Sequence, residues 1–246
     1  MTQLDVLYED NHLLVLNKPP GLATMGADGA ATLHEMACRY LGQKYRKPGR
    51  VFLGVVHRLD SMSSGVLVMA RTSKAAARLS EQFRGAGEGR PEKVYLAAVA
   101  GDLPEPRGQW RDWLVKNDAV HRMEAVAASH AGAVQADLQY RVLRPATATG
   151  RSASLVAVRL LTGRKHQIRV QFSDRGHPVI GDVKYGAKRQ AFVGVALHAW
   201  SLTIRHPTKG DAMKFQCPPP ASWGRWRPTA AELGLLDQAA GWWDGE

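Results

Sequence analysis

Residues 55–70 read VVHRLDSMSSGVLVMA. Two apolar runs enclose His57, Arg58 and Asp60, and a serine-rich turn closed by Gly65 follows them. Apolar runs of this length, bounded by turn residues, read as buried strands. The charged residues then belong to the turn joining the strands, a rigidly held position of the kind where reactive side chains concentrate. An Asp at a turn commonly bonds nearby backbone amides. The cation beside Asp60 adds a second reading. A neighbouring guanidinium keeps a partly buried carboxylate ionised, as a nucleophile or general base requires.

Outward from this stretch the strand pattern repeats. HLLVLN at 12–17 is an apolar run closed by KPPG, a strand ended by a proline turn. VYLAAVA at 94–100, SLVAVRLL at 154–161 and LHAWSLTI at 197–204 read as further strands, and VQADLQYRVL at 134–143 alternates like a half-buried one. Helices are interspersed. Thr32 and Glu35 of TLHE form a capping box, with Leu33, Met36, Tyr40 and Leu41 at helical spacing and Gly42 placed to end the helix. Thr72 or Ser73 can cap a second helix presenting Ala76, Leu79 and Phe83 along one face. KHQIRVQF at 165–172 is ambiguous: its β-branched residues suit a strand, while Ile168 and Phe172 at i, i+4 permit a helix. The fold class is α+β, rich in strands, with no linker that divides it.

Thr229 and Glu232 of TAAE form another capping box, followed by Leu233, Leu236, Trp242 and Trp243. Four of the seven tryptophans lie after residue 222, and packing of a C-terminal helix accounts for them better than stacking on RNA bases. The expected organisation is a domain over 1–222 with a Trp-rich helical extension, 223–246, packed on it.

The 246 residues suffice for a sizeable core, and 45% hydrophobic with 22% charged residues argues against general disorder. A formal charge of +11 favours polyanionic partners, nucleic acid before an anionic membrane surface. The basic residues recur in short clusters (QKYRKPGR at 43–50, GRKHQIR at 163–169, WGRWR at 223–227), which suits a folded groove better than a basic tail. Cys38 and Cys217 provide neither a disulfide framework nor zinc spacing. The N-terminus has no secretory signal, and no apolar run approaches the roughly 20 residues that span a bilayer. A cytoplasmic, soluble protein is expected.

Three further clusters stand out. TGRKHQIR at 162–169 gathers Arg164, Lys165, His166 and Arg169 after a glycine turn; GHPVIGDVKYG at 176–186 reads as a constrained loop; Lys93 and Tyr95 share a strand face. The nine histidines lack metal-site spacing, and there is no phosphate-binding glycine loop, dinucleotide fingerprint or serine nucleophile elbow. No metal and no cofactor is expected.

In order along the chain, these segments resemble the RluA-type family of RNA pseudouridine synthases. HRLDSMSSG at 57–65 resembles the family's nucleophile motif, H-R-L-D-x-x-T-S-G, with Ser63 in place of the usual threonine. YEDNHLLVLNKPPGL at 8–22, KVY at 93–95, TGRKHQIR with GHPVIGDVKYG, and LHAWSLTIRHP at 197–207 match its other motifs. Gln171 stands where many relatives have histidine. The resemblance implies a mixed, largely antiparallel central sheet with flanking helices and an RNA-binding cleft, a helix opening after Gly163, and no room for a small S4-type domain in front. It implies isomerisation of uridine to pseudouridine in structured ribosomal or transfer RNA, by a monomer acting on a stem-loop. Asp60 is then the nucleophile, and Tyr95 stacks on the base and helps remove the C5 proton. Arg169 pairs with Asp60, and Arg58 fills the space left by the flipped nucleotide. His57, Ile168 and Leu197 fall among the substrate-binding residues, the last two as an apolar wall. Base flipping fits this chemistry, because a stacked base cannot be reached. Two other classes stand beside it: an RNA-binding protein that keeps the fold without catalysis, and a carboxylate-nucleophile hydrolase, which would need a second acid.

Overall fold

The computed structural model describes residues 4–26, 31–85, 89–147, 153–188, 192–237 and 243. Along the chain run β1 (Val6–Glu9), β2 (Leu13–Lys18), α1 (Leu33–Lys44), β3 (Gly54–Val55), β4 (Ser64–Ala70), α2 (Ser73–Arg84), β5 (Glu92–Ala100), β6 (Arg107–Asn117), β7 (Arg122–Val126), β8 (Val134–Arg144), β9 (Ala153–Leu160), α3 (Gln167–Asp174), β10 (Leu197–Arg205), β11 (Ala212–Gln216) and α4 (Ala230–Asp237). Short 3₁₀ segments lie at Val183–Tyr185 and Ala221–Trp226. The pairing is mixed and largely antiparallel, as expected. The chain forms two compact units, Met1–Val94 with His198–Pro218 and Tyr95–Leu197 with Pro219–Glu246. The divisions at 94 and 197 fall inside β5 and β10, and residue 222 lies within the second unit's last segment.

In the first unit β2 and β4 pair antiparallel from Leu13↔Ala70 to Lys18↔Gly65. β1 forms a hairpin with β2, and β11 forms one with β10. Every residue of β4 is buried. One face packs Leu13, Val15, Val66 and Val68 against Ala75 and Leu79 of α2 and against Leu202, Ile204 and Phe215. The helix starts where its hydroxyl cap predicts: Thr72 Oγ1 accepts the Ala75 amide. α1 carries the expected capping box, Thr32 with Glu35, but runs past Gly42 to Lys44. Glu9 holds the end of that helix, accepting from Lys44 Nζ at 2.7 Å and from the phenols of Tyr40 and Tyr45.

β4 and β10 pair in parallel, matched at Ser64↔His198 and Ala199↔Gly65. Gly65 has φ +118°, and a Cβ there would lie 2.3 Å from the Ala199 carbonyl oxygen. Only glycine fits, because the conformation is one that L side chains rarely adopt and the neighbour is backbone. Ser64 Oγ and His198 Nδ1 lie 2.8 Å apart, and His198 Nε2 meets the Cys217 carbonyl at 2.9 Å.

In the second unit the strand order is β5-β9-β8-β6-β7. β9 pairs antiparallel with β8, β8 with β6, and β6 with β7. α3 lays Val170 into a cluster with Leu114, Met123, Ala136 and Tyr185. It opens at Gln167, three residues later than a start directly after Gly163 would give, because His166 occupies the left-handed region at φ 54°. The second capping box is present, Glu232 N donating to Thr229 Oγ1 and Thr229 N to Glu232 Oε2. Arg144 of β8 bonds Glu232 at 3.1 Å and donates to the Arg227 carbonyl, which docks this last segment. Trp223 is fully buried, and Trp242 lies outside the described residues, as do residues 86–88 of the loop after α2. Among the described residues no helix is long and apolar enough to cross a membrane.

Candidate active site

β3 is only two residues long, so Asp60 sits on an eight-residue loop, 56–63, rather than a tight turn between two full strands. Its antiparallel ladder to β4 stops at Val55↔Met69. There the His57 side chain takes over: Nε2 accepts the Val68 amide at 3.0 Å. This satisfies a donor that the departing strand would leave buried and unpaired. The imidazole stacks on Phe83 with centroids 4.4 Å apart and planes 12° apart. Burial, helped by the charge on Lys93, pushes its pKa down to about 3, which keeps the acceptor nitrogen unprotonated.

The loop tip is tightly cross-braced. Asp60 Oδ1 accepts the Met62 amide at 3.0 Å, and the Asp60 carbonyl accepts both the amide and the hydroxyl of Ser63. Ser63 thus uses the hydroxyl that the expected threonine would also supply. From the other side the KPPG turn clamps the loop. Lys18, fully buried, donates from Nζ to the carbonyls of Pro19 at 2.9 Å, Leu22 at 2.7 Å and Ser61 at 3.2 Å. Gly21 N also reaches the Ser61 carbonyl at 2.8 Å, and Thr24 Oγ1 the Leu59 carbonyl at 3.0 Å. Burial lowers the Lys18 pKa to about 8, while the Asp60 charge pulls it upward. A buried ammonium under a carboxylate loop is costly to desolvate, and three carbonyl acceptors offset that cost. Arg58 stands exposed on the same loop, and Asp60 is half-buried.

In the second unit Arg169 and Ile168 are consecutive buried residues of α3. The Arg169 guanidinium makes a two-pronged pair with Asp182, Nε to Oδ2 and Nη2 to Oδ1, both at 2.6 Å. It also lies 4.8 Å from the centroid of the Tyr185 ring. Tyr95 is half-buried on β5, and burial pushes its phenol up to about 12, so it is protonated at neutral pH. Leu197, at the start of β10, is buried. The loop thus brings together His57, Arg58 and Asp60, and α3 brings together Ile168 and Arg169. Reading the sequence did not single out Lys18, Asp182 or Tyr185. The motifs containing them were noted, yet a lysine before two prolines gives no sign that it is buried. Among the described residues no group of His, Cys, Asp and Glu could hold a metal.

A model of the RNA pseudouridylate synthase family matches residues 12–174. Over 229 residues the chain is 35% identical to ribosomal large subunit pseudouridine synthase D of Zymomonas mobilis, covering 88% of this chain and 69% of that protein. It is 36% identical to ribosomal large subunit pseudouridine synthase C of Escherichia coli, covering 87% of this chain and 66% of the relative. The chain therefore spans about two thirds of these relatives' length. The solved structure of human RNA pseudouridylate synthase domain containing 1 superposes with a TM-score of 0.74 at 26% identity, over 97% of this chain and 96% of that one. Human RNA pseudouridylate synthase domain containing 4, at 24% identity and a TM-score of 0.72, over 90% of this chain and 92% of that one, shares the fold. By these matches, and by the ordered motifs that build the Asp60 loop and α3, the chain belongs to the RNA pseudouridylate synthase family of isomerases, in its RluA-type branch.

Proposed function

We propose that this chain converts uridine to pseudouridine in RNA of the large ribosomal subunit, with Asp60 as the nucleophile. The observation that carries the reading is the mounting of Asp60 within the HRLD motif. Its loop is fixed by the Lys18 ammonium, by the His57 ring and by its own Ser63 turn. A carboxylate so placed is pre-oriented for attack, which lowers the ordering cost at the reacting step. The names of the relatives support a ribosomal substrate. Transfer RNA is the second substrate class, and a stem-loop is the expected form, because a loop nucleotide costs least to flip. We assign the chain to the cytoplasm, acting as a monomer.

Arg58, the exposed cation beside Asp60, suits the space vacated by the flipped nucleotide. His57 has its Nε2 committed to Val68, so the geometry favours a role in bracing the loop over direct contact with RNA. Tyr95, protonated at neutral pH, suits stacking on the uracil better than service as a free phenolate base at C5. The resemblance assigns Arg169 to the nucleophile as its permanent cation, and Ile168 and Leu197 to the apolar wall.

The test is to incubate the purified protein with large-subunit and transfer RNA transcripts and map pseudouridine. Asp60→Ala should lower single-turnover conversion by ~10³-fold or more while RNA affinity stays within about threefold. Unchanged conversion by Asp60→Ala would remove the nucleophile assignment. Release of free uracil would point instead to hydrolysis, and binding without conversion by the parent protein would point to an RNA-binding role.

A further inference from the structure

The Asp182–Tyr185 segment is placed to hold one side chain. Asp182 begins the 3₁₀ turn Val183–Tyr185, in which residues i and i+3 stand on the same side. A carboxylate and an aromatic ring three residues apart therefore face the same object, the Arg169 guanidinium. Asp182 grips its edge through two bonds of 2.6 Å, and the Tyr185 ring lies 4.8 Å from its carbon. All three residues are buried. The edge contact fixes the plane of the guanidinium, and the ring contact opposes displacement of the cation off the aromatic face. The platform is itself anchored. The Tyr185 hydroxyl accepts the Met123 amide of β7 at 3.0 Å and lies 2.7 Å from His166 Nδ1. His166 is the left-handed residue from which α3 departs, so the start of the helix bearing Arg169 and the ring beside Arg169 are tied together.

We infer that Tyr185 is a positioning residue for the isomerisation, acting through the face of its ring on Arg169, which Asp182 orients from the edge. This rests on the proposed use of Arg169 by the reaction. The alternative is a purely structural tyrosine, needed for its hydrogen bond to β7 and its volume in the cluster of Leu114, Met123, Ala136 and Val170. The two differ in what they demand of the side chain: the inference needs the aromatic face, and the structural role needs the hydroxyl and the bulk.

The experiment compares Tyr185→Phe, which keeps the face and loses the hydroxyl, with Tyr185→Leu and Tyr185→Met, which lose both and keep apolar bulk. Single-turnover conversion at saturating RNA and RNA affinity are measured separately, on variants whose thermal unfolding has been recorded. Met serves as the second apolar variant because its unbranched chain adapts to irregular space where Leu fails to fold. Expected are conversion within about threefold of the parent for Phe, and a loss of about tenfold or more for Leu or Met with RNA affinity within about twofold. The inference is overturned if Phe is as slow as Leu and Met, if all three match the parent, or if affinity falls in step with rate. Arg169→Lys in the same assay separates the two levels. If it converts RNA at the parental rate, the use of Arg169 in the proposed function fails. If it is slow while the Leu and Met variants are not, only the role of Tyr185 fails.

Discussion

At Gly65 two demands coincide: a backbone conformation that other residues resist, and an Ala199 carbonyl oxygen where a Cβ would need to sit. Gly65→Ala must therefore push β4 and β10 apart at the root of the Asp60 loop. A loss of at least about 3 kcal/mol is expected, from backbone strain and overpacking combined, read as a lower denaturant midpoint. A midpoint equal to the parent's would mean that the strand pair separates freely. This glycine was visible in the sequence as the close of a serine-rich turn, whereas its reason, a parallel neighbour, was not. Lys18 was less legible still. Lysine is ordinarily a surface residue, and only the three converging carbonyls reveal why this one is inside. Asp182 and Tyr185 were read as parts of a constrained loop, since no one-dimensional pattern says which guanidinium a carboxylate will face.

Among the elements, those with local signals were legible. The hydroxyl caps at Thr32, Thr72 and Thr229 marked three helix starts because cap chemistry involves residues three apart. β1, β6, β7 and β11 were missed. Their alternation is masked by charged residues, as in RGQWRDWLVKN, where exposed positions carry Arg and Lys. β3 was expected as a full strand; its shortness depends on a side chain, His57, standing in for backbone. That substitution has a pH signature. His57 and His198 are held down to about 3 and about 4 by burial, against an ordinary value near 6.5. Between those values the unfolded chain binds protons that the folded one refuses. Stability is then fully present above pH ~6.5 and falls as pH drops toward 4 and 3, by up to about 1.4 kcal/mol per pH unit for each histidine. Denaturant midpoints between about pH 7 and about pH 4.5 should fall accordingly, and more shallowly in His57→Gln. A parent midpoint flat across that range would remove the neutral-histidine account.

For the molecule as a whole, the formal charge of +11 suits a grip on RNA phosphates. Phosphate contacts release counterions, so affinity for a ribosomal RNA fragment should fall by on the order of 10² or more between about 50 and about 200 mM salt. A salt-independent affinity would contradict a phosphate-based grip. The division into two units could not be read from composition, because its boundaries at 94 and 197 fall within strands and leave no linker. The parallel join of β4 to β10 also sets an order of assembly. Ser64 and His198 are separated by 134 residues, whereas Lys18 and Ser61 are only 43 apart. As the chain emerges from its N-terminus, the clamp beneath Asp60 forms from early segments, but the Ser64–Gly65 end of β4 waits for its parallel partner until β10 has been made. A waiting strand edge invites pairing with whatever strand comes first. The root of the proposed nucleophile's loop is thus also where a half-made chain offers an unpaired strand end to a wrong partner.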